Sequence, residues 1–333
     1  MRLFTLIFLA FASLNVIAAE MKIRVGSSPA LSSAGIYLAE AKGYFKDQGL
    51  NVEITDIANS GAPMTLLLAK GELEVGAGNL TSGLFSAIAS GQGVKLVADK
   101  GHVEKSRDYI ALIVRQDHIE SGRYKSLKDL KGFKVGLTAL DGVSQQIVMD
   151  KFLRKAGLTE KDIEYVKLSY AEMNAALKTK SIDATIQLEP FVAQAELGGF
   201  AKRIAGSSEV HPDQQSAALM YSSSFMKEHH DQAVKFMAAY LKGIRLYNKS
   251  LSDPAAKKEV REVLGPRLKI TDDKVWDRIV PIGLRDSGEL NVKSLQEDLD
   301  WYTSKGYLKS KNLAASIVEA TFTGEAQKIL NAK

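Results

Sequence analysis

The chain repeats one pattern twice, over residues 22–78 and again over residues 132–187. Each copy opens with a short apolar stretch that ends in glycine and a hydroxyl residue, continues into a helical pattern that stops at Gly-Leu, and resumes with a second apolar stretch. A further helical pattern leads through an acidic turn to a run of small residues. Repeats of this size that alternate strand and helix are βαβ units, so the sequence predicts two similar α/β lobes.

The internal spacing of the two copies also agrees. Val25 and Val75 in the first copy are almost as far apart along the chain as Val135 and Ala184 in the second. We therefore expect the two pairs to occupy equivalent strands of two doubly wound lobes. Two such lobes enclose a cleft, and small ligands favour clefts of this kind.

In open α/β sheets, ligands bind beyond the carboxyl ends of the parallel strands. At those ends this sequence combines small residues with hydroxyls and amides, and most of these loops lead into a helix whose first N–H groups are unpaired. Such loops suit a carboxylate, a sulfonate, nitrate or a polar heterocycle. The predicted ligand-binding residues are Ser28, Ser33, Ala62, Asn79, Leu80 and Thr81 in the first copy, and Thr138, Asp141, Ser144, Gln187 and Glu189 in the second.

A structural role competes with this interpretation for each residue taken alone. Helix capping requires the same residue types and no ligand. The residues to which this alternative applies are Ser28, Ser33, Thr81, Asp141, Ser144 and Glu189. The charged residues that follow the strand beginning at Val94 either border the cleft or form a solvated loop, and we expect the loop because charge runs usually face water. They are Lys100, His102, Lys105 and Arg107.

Composition and the first residues indicate an exported protein. The chain has 333 residues, of which 45% are hydrophobic, enough for two domains with cores. Residues 1–19 have the pattern of a secretory signal peptide, with a short apolar run and small residues before the expected cleavage site. The absence of cysteine excludes disulfides and thiol catalysis. The net charge of +5 is spread along the chain, whereas a nucleic-acid-binding surface needs clustered Lys and Arg residues. We therefore expect a soluble periplasmic monomer that does not bind nucleic acid.

The predicted domains follow the repeat. The first lobe is expected to comprise residues 22–110 and 216–333, and the second lobe residues 111–215. The apolar stretches 109–114 and 216–221 are candidates for the two crossing strands. Helices are predicted over 225–247, from Pro254 to Gly265-Pro266, over 295–302 and over 314–321. We assign them to a helical cap on the first lobe, because a chain that crosses twice ends where it began.

Catalytic and cofactor motifs are absent from the sequence. His229-His230 lacks the spacing of a zinc motif, and Gly91-Gln92-Gly93 lacks the third glycine of a dinucleotide fingerprint. No phosphate-binding loop or nucleophile elbow occurs. We therefore predict no catalytic residue, no metal site and no cofactor. An enzymatic alternative would use Asp141 and Glu189 as a carboxylate pair, one as acid and one as base.

Residues 26–53, with Gly43-Tyr44-Phe45 followed by Gly49-Leu50, closely resemble the periplasmic binding proteins of ABC importers for nitrate, taurine and alkanesulfonates. The likeness continues in residues 66–76, 127–136, 182–191 and 301–308. The resemblance implies two α/β lobes that close on a ligand about two crossing strands, the type II architecture of periplasmic binding proteins. It implies ligand contacts near Ser28 and Ser33, from 79–81, from 138–144 and from the segment ending at Glu189-Pro190. Leu188 stands where the family often has tryptophan.

The function implied by the resemblance is capture of a small solute and its delivery to the permease and ATPase of an ABC transporter in the inner membrane. Ligands within the family include inorganic anions, sulfonates, carboxylates and pyrimidines. Two alternatives stay open: an enzyme on the same fold, either related to a pyrimidine synthase or a periplasmic hydrolase, and a sensory protein that presents its solute to a receptor. The pyrimidine-forming enzyme of this fold uses a cysteine cluster, which this chain lacks.

Overall fold

The computed structural model describes residues 21–57, 62–309 and 314–332. The predicted signal peptide lies outside this range. Within it, no helix combines the length and the apolar character needed to cross a membrane.

The strands form two five-stranded mixed sheets with matching order. The first sheet has the order β2-β1-β3-β10-β4, and the second has the order β7-β6-β8-β5-β9. The first contains β1 (Lys22–Ser27), β2 (Asn51–Asp56), β3 (Val75–Asn79), β4 (Val94–His102) and β10 (Gln215–Ser222). The second contains β5 (Ile110–Arg115), β6 (Lys134–Leu137), β7 (Glu164–Lys167), β8 (Ala184–Leu188) and β9 (Ala201–Gly206).

The pairing register confirms the predicted duplication. Val25 of β1 pairs with Val75 of β3, and Val135 of β6 pairs with Ala184 of β8. In each sheet three strands run parallel, and an antiparallel strand, β10 or β5, lies beside the third. The architecture is therefore the two-lobed α/β fold that the repeat predicts.

The chain passes twice between the sheets, at residues 103–109 between β4 and β5 and at residues 207–214 between β9 and β10. The predicted crossing stretches 109–114 and 216–221 correspond to β5 and β10 themselves. Each of these strands pairs along its length within one sheet, so the crossing itself is made by the segment that precedes it.

Helices cover both sheets. They are α1 (Ala34–Ala41), α2 (Ala62–Ala69), α3 (Ser82–Ala89), α4 (Gln116–Glu120), α5 (Ser144–Lys155), α6 (Tyr170–Lys178), α7 (Phe191–Leu197), α8 (Ser223–Glu228), α9 (His230–Lys249), α10 (Pro254–Leu268), α11 (Asp273–Arg278), α12 (Val292–Ser304), α13 (Ala314–Ile317) and α14 (Thr321–Asn331). The long amphipathic helix α9 packs against α1 at unusually close range. A Cβ on Gly243 would lie 2.0 Å from the carbonyl oxygen of Gly35, so only glycine permits this approach.

The C-terminal helices differ from the prediction in several places. The helix predicted over 225–247 is two helices, because the backbone leaves the helical region at His229. Helix α10 continues through Gly265-Pro266 to Leu268, since a glycine before proline has no Cβ to clash with the proline ring. The helix predicted over 314–321 ends at Ile317, because Val318 forms a bridge with Leu96 of β4. Helix α14 was not predicted.

These helices also contact the second lobe, although the sequence predicts a cap on the first lobe. The indole Nε1 of Trp301 donates to Asp150 Oδ2 at 2.9 Å, and Lys305 Nζ donates to Asp150 Oδ1 at 2.9 Å. On α11, Arg278 Nε donates to Glu196 Oε2 at 2.9 Å. Both acidic partners belong to helices of the second lobe, α5 and α7.

Candidate functional site

A narrow cavity lies between the lobes, where the carboxyl ends of β3 and β8 face each other. This is the position that the topology of open α/β sheets predicts for a ligand. Polar side chains from both lobes line the cavity together with a few aliphatic ones. The lining residues are Asn79, Tyr109, Ile110, Ser144, Gln145, Tyr170, Ile186, Gln187, Leu188 and Ser216.

The structure brings together three of the residues predicted from the sequence, namely Asn79, Ser144 and Gln187. Asn79 is the last residue of β3, and its Nδ2 donates to Tyr170 Oη of the second lobe at 3.4 Å. Gln187 Nε2 donates to the backbone oxygen of Tyr170 at 3.0 Å. The bond of Asn79 connects the two lobes, whereas the bond of Gln187 lies within the second lobe.

Ser144 is the first residue of α5, and the capping position before it is taken by Val143, which makes no side-chain capping bond. Ser33 likewise makes no side-chain capping bond to α1. Thr81 does cap: its hydroxyl accepts from the backbone N–H of Leu84 at 3.2 Å. The capping alternative therefore describes Thr81, whereas Ser144 leaves its hydroxyl at the cavity wall.

Two tyrosines that the sequence did not single out provide neutral donors. Tyr170 begins α6, just beyond the end of β7, and burial raises its pKa to about 12 while hydrogen bonds from Asn79 and Thr138 offset part of the rise. Tyr109 bonds Ser216 through their hydroxyls at 2.5 Å, and burial raises its pKa as well. Both phenols stay protonated at neutral pH. Tyr170 had a sequence signal, since Ser169 and Glu172 form the capping box that starts its helix.

Thr138 orients another wall residue and does not itself line the cavity. Its backbone N–H and its hydroxyl both donate to Gln145 Oε1, at 3.0 and 2.5 Å. Gln145 Nε2 then donates to the backbone oxygen of Ile186 at 2.6 Å. The amide of Gln145 is thereby held in one orientation.

Leu80, Thr81 and Asp141 lie where the lobes touch beside the cavity. Leu80 is fully buried in apolar packing. Thr81 forms an isolated antiparallel bridge with Val143 of the second lobe. Asp141 exposes its side chain, while its backbone oxygen accepts from Ser82 Oγ at 2.5 Å.

Glu189 is buried and bonded on both carboxylate oxygens. Its Oε1 accepts from Arg203 Nη2 at 2.9 Å and from the backbone N–H of Val280 at 3.2 Å, and its Oε2 accepts from Ala193 N at 3.0 Å. Burial raises its pKa, and these donors offset part of the rise. Neither Glu189 nor Asp141 lines the cavity, so the carboxylate pair of the enzymatic alternative does not meet there.

Ser28 and Ser33 lie beyond the end of β1 and bond each other, with Ser33 Oγ donating to the Ser28 carbonyl at 2.6 Å. Ala62 begins α2. The predicted solvated loop after β4 is wrong for Lys100 and His102, because β4 extends to His102 and both side chains are buried. Among the residues described, no group of three or more His, Asp or Glu side chains could hold a metal ion.

These features define a two-lobed α/β binding protein with a polar cavity between its lobes. The chain matches the family model described as NMT1/THI5 like over residues 31–255, more than half of its length, and belongs to that family.

A curated relative matches part of the chain. The binding protein YtlA of Bacillus subtilis is 28% identical over 211 residues, which cover 63% of this chain and 60% of YtlA. The match thus spans less than two thirds of that relative.

Solved structures share the fold. The nitrate-binding protein NrtA of Synechocystis superposes with a TM-score of 0.75 at 14% identity, covering 94% of this chain and 89% of NrtA. The alkanesulfonate-binding protein SsuA of Xanthomonas axonopodis, bound to MOPS, superposes with a TM-score of 0.73 at 18% identity, covering 91% of this chain and all of SsuA. The predicted fold, that of periplasmic binding proteins of ABC import systems, is therefore confirmed.

Proposed function

We propose that this protein captures a small solute in the cavity between its lobes and delivers it to the permease and ATPase of an ABC transporter. The observation that carries this proposal is the cavity itself, whose wall comes from both lobes and presents hydroxyl and amide groups at the carboxyl ends of β3 and β8. A site assembled from two lobes forms only when they approach each other, which couples binding to closure.

The chemistry of the wall favours a small compound rich in hydrogen-bond acceptors. Tyr109, Tyr170, Ser144 and Ser216 offer hydroxyls, and the amides of Asn79 and Gln187 add donors and acceptors. SsuA and NrtA are binding proteins for alkanesulfonates and nitrate. We extend that range to this chain as nitrate, a sulfonate, a carboxylate or a pyrimidine.

We propose that residues 1–19 direct export, that the protein acts as a periplasmic monomer, and that it is not an enzyme. The first lobe comprises residues 22–110 and 216–333 and the second residues 111–215, with closure about segments 103–109 and 207–214. NrtA of Synechocystis is a periplasmic protein, as is the aliphatic sulphonate-binding protein SsuA of Escherichia coli, whose fold this chain shares, and this supports the location.

Ser144→Ala tests the cavity as the binding site. Native mass spectrometry of freshly purified protein identifies any retained solute, and calorimetry with that solute, or with nitrate, taurine, acetate and cytosine, measures affinity. Loss of one hydroxyl contact should weaken binding about 5- to 20-fold. The melting temperature of the empty protein should hardly change, because Val143, and not Ser144, occupies the capping position of α5.

Ser222→Ala is the matched control. Ser222 Oγ accepts from the backbone N–H of Phe225 at 3.3 Å and caps α8, away from the cavity. Its loss should lower the free energy of unfolding by about 1 kcal/mol and leave affinity unchanged. Equal affinity of Ser144→Ala and the wild type would remove the cavity as the site, and absence of any retained or added solute would count against solute binding altogether.

A further inference from the structure

Lys100 occupies an irregular position in β4. The register of β4 against β10 pairs Gly101 with Ala217 and Asp99 with Ala218, so Lys100 is an extra residue without a partner on β10. Such a bulge re-aims the side chain it carries, and bulges are frequent beside functional sites. Lys100 is fully buried, unlike nearly all lysines in proteins.

The ammonium of Lys100 meets only neutral groups. Its Nζ donates to Ser32 Oγ at 2.7 Å and to Ser28 Oγ at 3.2 Å. An ammonium has three donors, and within the described part of the chain no third acceptor and no carboxylate lies within bonding distance of this one. The carboxylate of the adjacent Asp99 is bonded elsewhere, to His102 Nδ1 at 2.8 Å and to Gln215 Nε2 at 2.7 Å.

This group lies beside the cavity. A Cβ built on Gly101, the next residue, would be 3.1 Å from Tyr109 Oη and 3.4 Å from Ser32 Cβ. Tyr109 is a cavity residue, and Ser32 is the closer hydroxyl partner of Lys100. Ser216, also in the cavity wall, donates to the Gly101 carbonyl at 2.8 Å. The buried cation therefore borders a site whose described wall contains no charged side chain.

We propose that Lys100 is a specificity-determining residue, whose ammonium binds the anionic group of the solute and selects anions over neutral heterocycles. A buried charge without a counter-ion is costly, and proteins retain one where a partner arrives. The partner required here is a small oxyanion group, such as a sulfonate, a carboxylate or nitrate. This inference rests on the proposed solute-binding function.

Lys100→Met is the direct test. Calorimetry is carried out on the wild type and the variant with ethanesulfonate, acetate and nitrate as anionic probes, and with cytosine as a neutral probe. Charge-assisted hydrogen bonds are strong, so the best anionic probe should lose about 10- to 100-fold in affinity. The affinity for cytosine should change less than twofold.

Lys95→Met is the matched control, since Lys95 lies on the same strand and donates to the Ser316 carbonyl at 2.5 Å, away from the cavity. It should leave anion affinity unchanged. Ser32→Ala keeps the charge but removes the hydroxyl that orients it, and should cost severalfold in affinity; it decides the question if Lys100→Met does not fold.

These measurements distinguish a failure of the role of Lys100 from a failure of the proposed solute-binding function. Binding of cytosine but no anion by the wild type, or anion binding by Lys100→Met within threefold of the wild type, would overturn the role of Lys100 and leave solute capture intact. Binding of no probe of either class would overturn both.

Discussion

At the scale of single residues, Lys100 lies beside the cavity, and burying its ammonium lowers the stability of the fold. Desolvation lowers its pKa from 10.5 to about 7, and the charge of Asp99 offsets only part of this effect. The other titratable groups nearby are His102, which bonds Asp99, and the phenols of Tyr109 and Tyr37. Burial raises the pKa of both phenols, that of Tyr37 to about 12, so they stay neutral where Lys100 titrates.

The lowered pKa of Lys100 predicts a pH dependence of stability. Between about pH 7 and pH 10.5 the unfolded chain binds the proton that the folded chain has lost, so this residue makes the free energy of unfolding rise with pH. Below pH 7 both states are protonated, and the full cost is present. Lys100→Met removes it, and should stabilise the empty protein at pH 6 by on the order of 1–4 kcal/mol.

Urea unfolding of the wild type and the variant at pH 6 and pH 9.5 measures this effect. The advantage of Lys100→Met should shrink at the higher pH, whereas Lys95→Met should show no such trend. If Lys100→Met were less stable than the wild type, or if the difference in the free energy of unfolding did not depend on pH, burial of the ammonium would not be costing stability.

At the scale of elements, the loop before α5 decides how closely the lobes approach. The backbone N–H of Ser82 donates to the Gly142 carbonyl at 3.0 Å, across the lobes. Gly142 has φ +98°, and a Cβ there would lie 2.7 Å from Ser82 Cβ. A side chain at this position would hold the lobes apart.

Gly142→Ala should therefore weaken solute binding at least tenfold, because the added methyl group obstructs closure. Gly132→Ala is the matched control: Gly132 has φ +78°, and a Cβ there meets nothing within 4 Å. Both variants carry backbone strain of about 1–2 kcal/mol, which unfolding experiments record, but only Gly142→Ala should lose affinity in calorimetry. Equal losses of affinity would assign the effect to strain alone.

The elements also show what the sequence could predict. The strands of the two copies were predictable, since apolar runs end at Gly and hydroxyl residues in both, and the pairs Val25–Val75 and Val135–Ala184 are register partners. Three of the predicted site residues line the cavity for a related reason: Asn79 and Gln187 lie at strand ends, and Ser144 begins the helix that follows β6.

Other parts of the site carried no local signal. Lys100 looked like part of a charged loop, because a bulge created by pairing with β10, far along the chain, leaves no trace in the sequence around it. Tyr109 reaches the cavity at the end of the crossing segment 103–109, and Ser216 reaches it near the start of β10, just after the other crossing segment. The course of both segments depends on how the sheets pack together. Tertiary contacts, and not propensity, place these residues.

At the scale of the whole molecule, the structure is closed around the cavity. Asn79 and Tyr170 connect the lobes on one side and Ser82 and Gly142 on another. Lys305, which follows α12, bonds Asp150 at 2.9 Å and Glu160 at 2.6 Å on the second lobe. Hydrogen bonds from Trp301, Lys305 and Arg154 lower the pKa of Asp150 despite its burial, so this contact stays charged at neutral pH.

The central claim is that matched lobes hold one small solute between them, and a crystal structure of the protein with its solute tests it most directly. We expect electron density for one molecule between the carboxyl ends of β3 and β8, in contact with Ser144 and Gln187. Density for the solute at an outer surface of either lobe, with the cavity between them empty, would contradict the account.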